Sequence, residues 1–325
     1  MGVVEGREGQ DRSGLMNAAS ARYIDTTLPA GRGLRSRIVE RPALALEPDD
    51  LARMIADIRA VARTTLGENE LTYGVFSGDR ETLSRTVLTV VYDTASGEPV
   101  AFNALALLRV SLGGREIEVL HLGLVMTAPK ARGGGLSAVL YGLTCVLLFV
   151  RRQCRPLWIS SVTQVPAVVG MVAETFSDVH PGQPATRASF QHRLVARQIM
   201  RHWRHAFGVG PEAGFDQERF VITDAYTGGS DNLKKTFDQA AKHRDPRYGE
   251  LCRTQLDYGR GDDLLQLGRI DMRAAARYLA KVAPPASVTG LVGRLALMLA
   301  QGAVLPLIHW LDDTQSWGSL RPWKH

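Results

Sequence analysis

The order of segments along the chain predicts an α/β (α+β) layer fold, a mixed and largely antiparallel central sheet flanked by helices. Three observations carry that expectation. An amphipathic helical pattern comes first. Three β-rich segments separated by glycine turns follow it. A triple-glycine loop then joins the last of them to an almost wholly apolar helix and a further strand.

Residues 1–45 are rich in Gly, Arg, Ser and Ala with little apolar periodicity, and read as a mobile arm or an irregular strap. Order is expected from about Glu47. Pro48-Asp49-Asp50 supplies a helix start, after which Leu51, Met54, Ile55, Ile58 and Val61 recur at three- and four-residue steps. Strands are expected over 86–92, 100–110 and 117–126; Ser96-Gly97 and Gly113-Gly114 between them make consecutive strands antiparallel neighbours. The helix expected over 136–152 is apolar nearly all round, so it must be buried, yet it falls short of the roughly 20 apolar residues that a bilayer span needs. A buried strand over 156–162 and a short helix over 166–176 follow.

Beyond residue 182 the pattern predicts helices over 187–207, 232–243 and 273–281 and strands over 219–223 and 264–269. The two strands are expected to complete the first sheet, with the intervening stretch as an insertion. A last apolar helix over 287–311 carries Arg294, Gln301 and a kink at Pro306. The domain organisation expected is an arm over 1–45, a core over 46–182 and an extension over 183–325.

The 325 residues are 45% hydrophobic and 22% charged, a balance that suits a folded soluble protein. Cys145, Cys154 and Cys252 lack the paired spacing of a zinc site or a disulfide framework, so no metal is expected and a reducing cytoplasm is the natural setting. The polar start Met1–Gln10 does not read as a secretory signal. A net charge of +6 favours acidic partners: anionic lipid, an acyl carrier protein, or the phosphates of coenzyme A. Nucleic acid is not expected, because the chain carries no zinc-finger, RNA-binding aromatic or basic-zipper pattern.

The chemistry centres on Pro129-Lys130-Ala131-Arg132-Gly133-Gly134-Gly135-Leu136-Ser137, placed between a strand and a buried helix. Backbone amides of such a loop, at the positive end of a helix dipole, can cradle a pyrophosphate without charged side chains. The glycine spacing fits neither a dinucleotide fingerprint nor a Walker loop. Arg132-x-x-Gly135-x-Ser137, with Pro129 ahead of it, resembles motif A of the GNAT N-acyltransferases, and the resemblance covers about residues 47–181. It implies that amides from Arg132, Gly133, Gly134, Gly135, Leu136 and Ser137 hold the pyrophosphate of coenzyme A. It also implies that Val125, Met126 and Thr127, on a splayed strand end, pair with the pantetheine amides. Ser137, where the family usually has glycine or alanine, is a mild departure.

Acyl transfer to an amine needs a base, a polarised thioester carbonyl and a proton for the departing thiolate. By the period-two rule His121, Gly123, Val125 and Thr127 share one strand face. His121 matches the position of the glutamate base in one branch of the family, and imidazole titrates near neutral pH, so His121 is the expected base. Glu116 and Glu118 are second choices. The family often shows Asn-x-x-Ala-x-x-Leu-Tyr after the last core strand, with the tyrosine as acid. Here Gln164 and Ala167 fit and Met171 replaces the tyrosine, so water, Tyr141 or Thr163 is left to supply the proton. Thr163 and Gln164 are also candidate ligand contacts, with strand capping as the alternative.

In the helix over 187–207, Phe190, Leu194, Ile199, Trp203 and Phe207 form an apolar stripe beside Arg193, Arg197, Arg201 and Arg204. Such a helix can dock an acyl carrier protein or an anionic membrane, or pack on the core with a solvated basic face. The apolar last helix reads as a lid or wall of an acyl tunnel or as core, with a membrane span third because Arg294 lies in its interior. The expectation is therefore a cytoplasmic, membrane-peripheral at most, N-acyltransferase. It would move an acyl group, long-chain by preference, from acyl-CoA or the phosphopantetheine of a carrier protein to an amine of a small molecule, lipid base or peptide. The rival is a GNAT-like protein that binds or senses an acyl thioester without turnover.

Overall fold

In the computed structural model the described residues are 23–66, 74–132, 135–182 and 187–299. The first departure from expectation lies in the segment read as an arm. Strands β1 (Asp25–Gly31) and β2 (Leu34–Glu40) form an antiparallel hairpin with Asp25 opposite Val39. Burial alternates along β1, so the period-two signal is present there. Pro29 is tolerated because β1 is the edge strand. Arg37 ties the hairpin to the next helix, bonding Asp25 at 2.8 Å and Asp50 at 2.7 Å. Those two carboxylates raise the Arg37 pKa further above its ordinary value.

The short helix α1 (Pro42–Ala45) leads to α2 (Pro48–Leu66), whose buried residues Leu51, Met54, Ile55, Ile58 and Val61 are the predicted stripe. After α3 (Arg80–Ser84), capped by Asp79, come β3 (Thr86–Asp93), β4 (Pro99–Leu112) and β5 (Arg115–His121), paired antiparallel in sequence. The third predicted strand does not run on to residue 126. It stops at His121, and a separate strand β6 (Val125–Thr127) pairs with β4 alone. Helix α4 (Leu136–Arg151), strand β7 (Leu157–Thr163) and helix α5 (Pro166–Thr175) follow as expected.

Strand β8 (Ser177–His180) pairs antiparallel with β11 (Asp263–Ile270), and β11 pairs along its length with β7. Between β8 and β11 the chain makes α6 (Phe190–His202), β9 (Gly214–Asp216), β10 (Val221–Thr223) and α7 (Pro246–Gln255). A helix over 232–243 is not formed. It starts instead at Pro246, where proline suits the first helical turn and Asp245 caps the amide of Arg247. Helices α8 (Met272–Lys281) and α9 (Pro285–Leu299) end the described chain. The predicted helix beyond Leu299, with Gln301 and Pro306, lies outside the described residues.

Among the described residues the result is one 11-stranded sheet in the order β1-β2-β3-β4-β5-β7-β11-β10-β9, with β6 on β4 and β8 on β11 off that path. Among the described pairs β5 with β7 is parallel and the rest are antiparallel. One face is covered by α4, α5, α7, α8 and α9, and its core runs from Leu28 through Leu105, Leu147 and Ile159 to Leu264. The other face is covered by α2 and, further along, by α6. Helix α4 is buried nearly all round, as its composition requires. Among the described residues no helix is long and apolar enough to cross a membrane.

Two helices sit differently from the prediction. The buried stripe of α6 is His192, Val195, Ala196, Ile199 and Met200, while Phe190 is 80% exposed. The phase turns because His192 is drawn inward: its ring bonds Ser189 Oγ at 2.7 Å and the carbonyl of Asp178 at 2.9 Å. Helix α9 lies across β1, with Ser287 Oγ bonded to the Pro29 carbonyl. That puts its described residues at the far edge of the sheet from β5 and β7.

Candidate functional site

The feature that sets the site is where β5 and β7 part. Their parallel register holds for Val119 with Trp158, Leu120 with Ile159 and His121 with Ser160. One more bond, Leu122 N–H to the Ser160 carbonyl at 2.7 Å, closes the shared stretch. The chain then turns, with the Gly123 amide donating back to the His121 carbonyl at 2.9 Å. A Cβ at Gly123 would stand 2.4 Å from the Ala104 carbonyl oxygen, so this turn requires glycine. The Tyr141 hydroxyl, from α4, donates to the Gly123 carbonyl at 2.7 Å and holds the turn from above.

Past the turn, β6 keeps to β4. The Leu124 carbonyl accepts from Ala104 N–H at 2.9 Å and the Ala128 amide donates to the Val100 carbonyl at 2.8 Å. By antiparallel alternation the backbone groups of Val125 and Thr127 then face away from β4, into the wedge between β6 and β7. Arg132 closes one of them, its Nε donating to the Thr127 carbonyl at 3.3 Å.

The loop leads from β6 through the turn Pro129–Ala131 into α4. Gly135 is the N-cap, in the left-handed conformation at φ 67°, and as glycine it offers no side chain to cap the first helical amides. Arg132, Gly135 and Ser137 are exposed there, whereas the Leu136 side chain is buried in the core and can contribute only its backbone. Gly133 and Gly134 lie outside the described residues. The first turn of α4 carries no acidic residue, so nothing in it offsets the positive dipole end.

Two polar side chains lie beside the wedge, and one of them, Asn103, was not singled out by sequence reasoning. Asn103 on β4 is fully buried, and neither its amide nitrogen nor its amide oxygen has a partner. The buried Thr127 hydroxyl is likewise unpartnered. Asn103 stands opposite Val125 and Thr127 opposite Ala101, which makes the two diagonal neighbours on the α4 face. Asn103's other neighbour, Thr89, is satisfied elsewhere, 2.7 Å from Thr144 Oγ. An unpartnered buried amide or hydroxyl costs about 1–3 kcal/mol, so such groups call for a reason. A signal was available: asparagine interrupts an otherwise apolar run over 99–108.

His121 does not share a face with Val125 and Thr127. The turn at Gly123 resets the alternation, and the His121 ring points to the α6 face, stacked on Phe207 with ring centroids 4.8 Å apart. Its Nδ1 lies 3.0 Å from Ser160 Oγ. Burial pulls its pKa down to about 4, so it is neutral at physiological pH. Met126 packs on the α2 face. Glu118, a second choice, is held by Arg41 and Arg152. Tyr141 is engaged with Gly123, and burial pushes its phenol up.

Thr163 Oγ accepts from the Val165 amide at 3.1 Å, a strand-end cap. The Gln164 carbonyl accepts from Tyr258 at 2.6 Å, and its side chain lies against 233–235. Both therefore bond within the protein, on the flank of β7 away from the wedge. Opposite Gln164 on that flank, Asp263 is buried and takes a bond from the Tyr226 hydroxyl at 2.9 Å. Burial first, and then the charge of Asp262, push its carboxyl up to about 7.

Comparison with solved structures gives partial overlaps. The ribosomal-protein-S5-alanine acetyltransferase from Vibrio fischeri overlaps at a TM-score of 0.28 and 11% identity, over 42% of this chain and 74% of that one. A GNAT family acetyltransferase from Brucella melitensis in complex with acetyl-CoA gives 0.26 and 20%, over 38% and 74%. A possible acetyltransferase from Clostridium difficile gives 0.24 and 15%, over 37% and 70%. No protein-family model matches the chain, and no curated protein matches it. Overlaps of that size carry no functional argument. The topology is an antiparallel meander, a glycine loop, a buried helix, and a parallel strand that parts from its neighbour at a turn requiring glycine, the element order expected from the sequence.

Proposed function

We propose that the chain binds an acyl thioester of pantetheine in the wedge between β6 and β7 and transfers the acyl group to an amine. The observation that carries this reading is the splay after His121: it turns the backbone groups of Val125 and Thr127 away from β4, beside an uncapped helix start. Coenzyme A fits what lines the wedge. Its phosphates suit the α4 amides and Arg132, its pantetheine amides suit the backbone of Val125 and Thr127, and the unpartnered Asn103 and Thr127 side chains offer further donors and acceptors. A carrier-protein phosphopantetheine would use the same groups.

In the reaction the amine nitrogen forms a bond to the thioester carbonyl carbon, the C–S bond breaks, and the nitrogen loses a proton while the sulfur gains one. His121 is the proposed acceptor of that proton, through water. Its lowered pKa makes it a weak base, which suffices only because the nitrogen becomes far more acidic as the N–C bond forms. Ser160, bonded to the ring, fixes its orientation.

Thermal denaturation with free coenzyme A, acetyl-CoA and a long-chain thioester tests the binding step. No shift with any of the three would sink the reading. Thiol release with a panel of amines tests turnover, and loss of turnover with retained binding in His121→Gln assigns the proton acceptor. Two observations favour the non-catalytic rival: the proton acceptor is sealed under Phe207, and Met171 stands where an acid is usual. Binding without turnover for every amine would select it. The described part of α9 lies on β1 and does not wall the wedge, so a long acyl chain finds no support from it.

A further inference from the structure

At the opposite end of the β5–β7 pair lies a groove of about 720 Å³ that the thioester reading does not use. Arg109 comes to it from β4, Arg151 and Arg152 from the end of α4, and Arg155 from the turn into β7. Ile117 and Leu157 contribute an apolar wall. Helix α4, 16 residues long, separates this groove from the glycine loop by about 24 Å.

The local charges do not cancel. Glu118 is shared between Arg41, at 2.6 Å, and Arg152, and Arg151 stands 3.9 Å from Glu40. Glu116 is the remaining carboxylate in the lining, which among the described residues leaves five guanidinium groups against three carboxylates. Burial lowers the Arg152 pKa, Glu40 offsets this in part, and the charge of Arg41 lowers it again. The negative end of the α4 dipole accounts for Arg151 and Arg152 at that place. It does not account for Arg109 and Arg155, which are exposed at the rim.

We propose that this groove binds the multivalent phosphate group of a soluble ligand, at a site distinct from the thioester wedge. Guanidinium groups presented from three elements suit the several oxygens of a di- or triphosphate, and the apolar wall suits the organic part attached to it. Arg109 and Arg155 are the variable part of the site, because their removal leaves the Arg41–Glu118–Arg152 ladder intact.

The test is calorimetric titration of the full chain with inorganic tripolyphosphate at fixed ionic strength. It compares the parent protein with the Arg109→Ala/Arg155→Ala double variant and with Arg132→Ala in the loop. The expected result is a saturable event that the double variant weakens about tenfold or more and Arg132→Ala leaves in place, beside the loop's own phosphate binding, which Arg132→Ala weakens and the double variant keeps. Absence of any event that the double variant weakens, or loss of that event in Arg132→Ala, would overturn the proposal. Vesicles of mixed phosphatidylcholine and phosphatidylserine separate the source of the phosphate. Vesicle binding lost in the double variant, without binding of tripolyphosphate, would assign the groove to a headgroup and overturn the soluble ligand.

Discussion

Strand β7 has two flanks that differ in pairing, although a buried unpartnered side-chain atom, Gln266 Oε1, occurs on the paired one as well. On one flank β11 stays paired along the whole strand, from Leu264 with Thr163 to Ile270 with Leu157. Polar groups at its end find partners there: Asp263 with Tyr226, and the Gln164 carbonyl with Tyr258. On the other flank β5 leaves after three pairs, and the polar groups beside the gap, Asn103 and Thr127, have none. The difference teaches that burial of a polar group is not itself a functional signal. A matched network rigidifies, whereas an unmatched group beside an opening is paired only when something enters.

The largest effect is expected from the closed flank. Asp263 is raised to about 7 from an ordinary 3.8, so the unfolded carboxyl ionises well before the folded one. Its contribution is full below pH 3.8 and is lost as pH rises through about 7, on the order of 4 kcal/mol. Asp263→Asn should flatten that loss, read as urea midpoints between pH 4 and 8; an unchanged profile would mean that Tyr226 and its neighbours do not isolate this carboxyl. Gly123→Ala tests the open flank. Its Cβ would meet a carbonyl at 2.4 Å, and we expect about 2–4 kcal/mol of destabilisation together with loss of thioester binding.

His121 sits between the flanks and runs with the opposite sign. Its pKa falls from 6.5 to about 4, so the unfolded chain takes up the proton first and stability is lost as pH drops from 6.5 toward 4, by about 3 kcal/mol. His121→Gln should remove that acid-side loss, measured by denaturant titration at pH 4.5 and 7. The smallest effect is the sharpest on the comparison. Thr127→Val removes an unpartnered hydroxyl, so stability should stay level or rise by about 1 kcal/mol while coenzyme A affinity falls several-fold. If Thr127→Val binds coenzyme A as the parent does, the open flank loses its claim as a recognition surface.

Most strands of the meander, the apolar α4, and both late strands were legible because each combines β-rich composition or unbroken apolarity with glycine punctuation. The β1–β2 hairpin was not, since Pro29 and the arginines of β2 hide an alternation that edge position permits. The helix phase at α6 was misread because a buried histidine, satisfied by Ser189 and Asp178, looks polar in sequence. At the site, the loop was legible and the side-chain orientation was not. A single backbone turn at Gly123 cancels the alternation on which the placement of His121 depended, and no pattern of residue types announces that turn.

The wedge also has a consequence for the order in which the molecule assembles. The hairpins β1–β2, β3–β4 and β4–β5 are made of contacts between near neighbours in the chain, and β2 reaches β3 across residues 41–85, but β8 reaches β11 only across residues 181–262. Closing a span of roughly 80 residues is slower and costs more chain entropy than closing a hairpin. We therefore expect the meander and α4 to form the early scaffold, with β11 docking onto β7 late. The open flank would then be shaped before the closed one is sealed, and a thioester present during refolding should speed folding more than it slows unfolding.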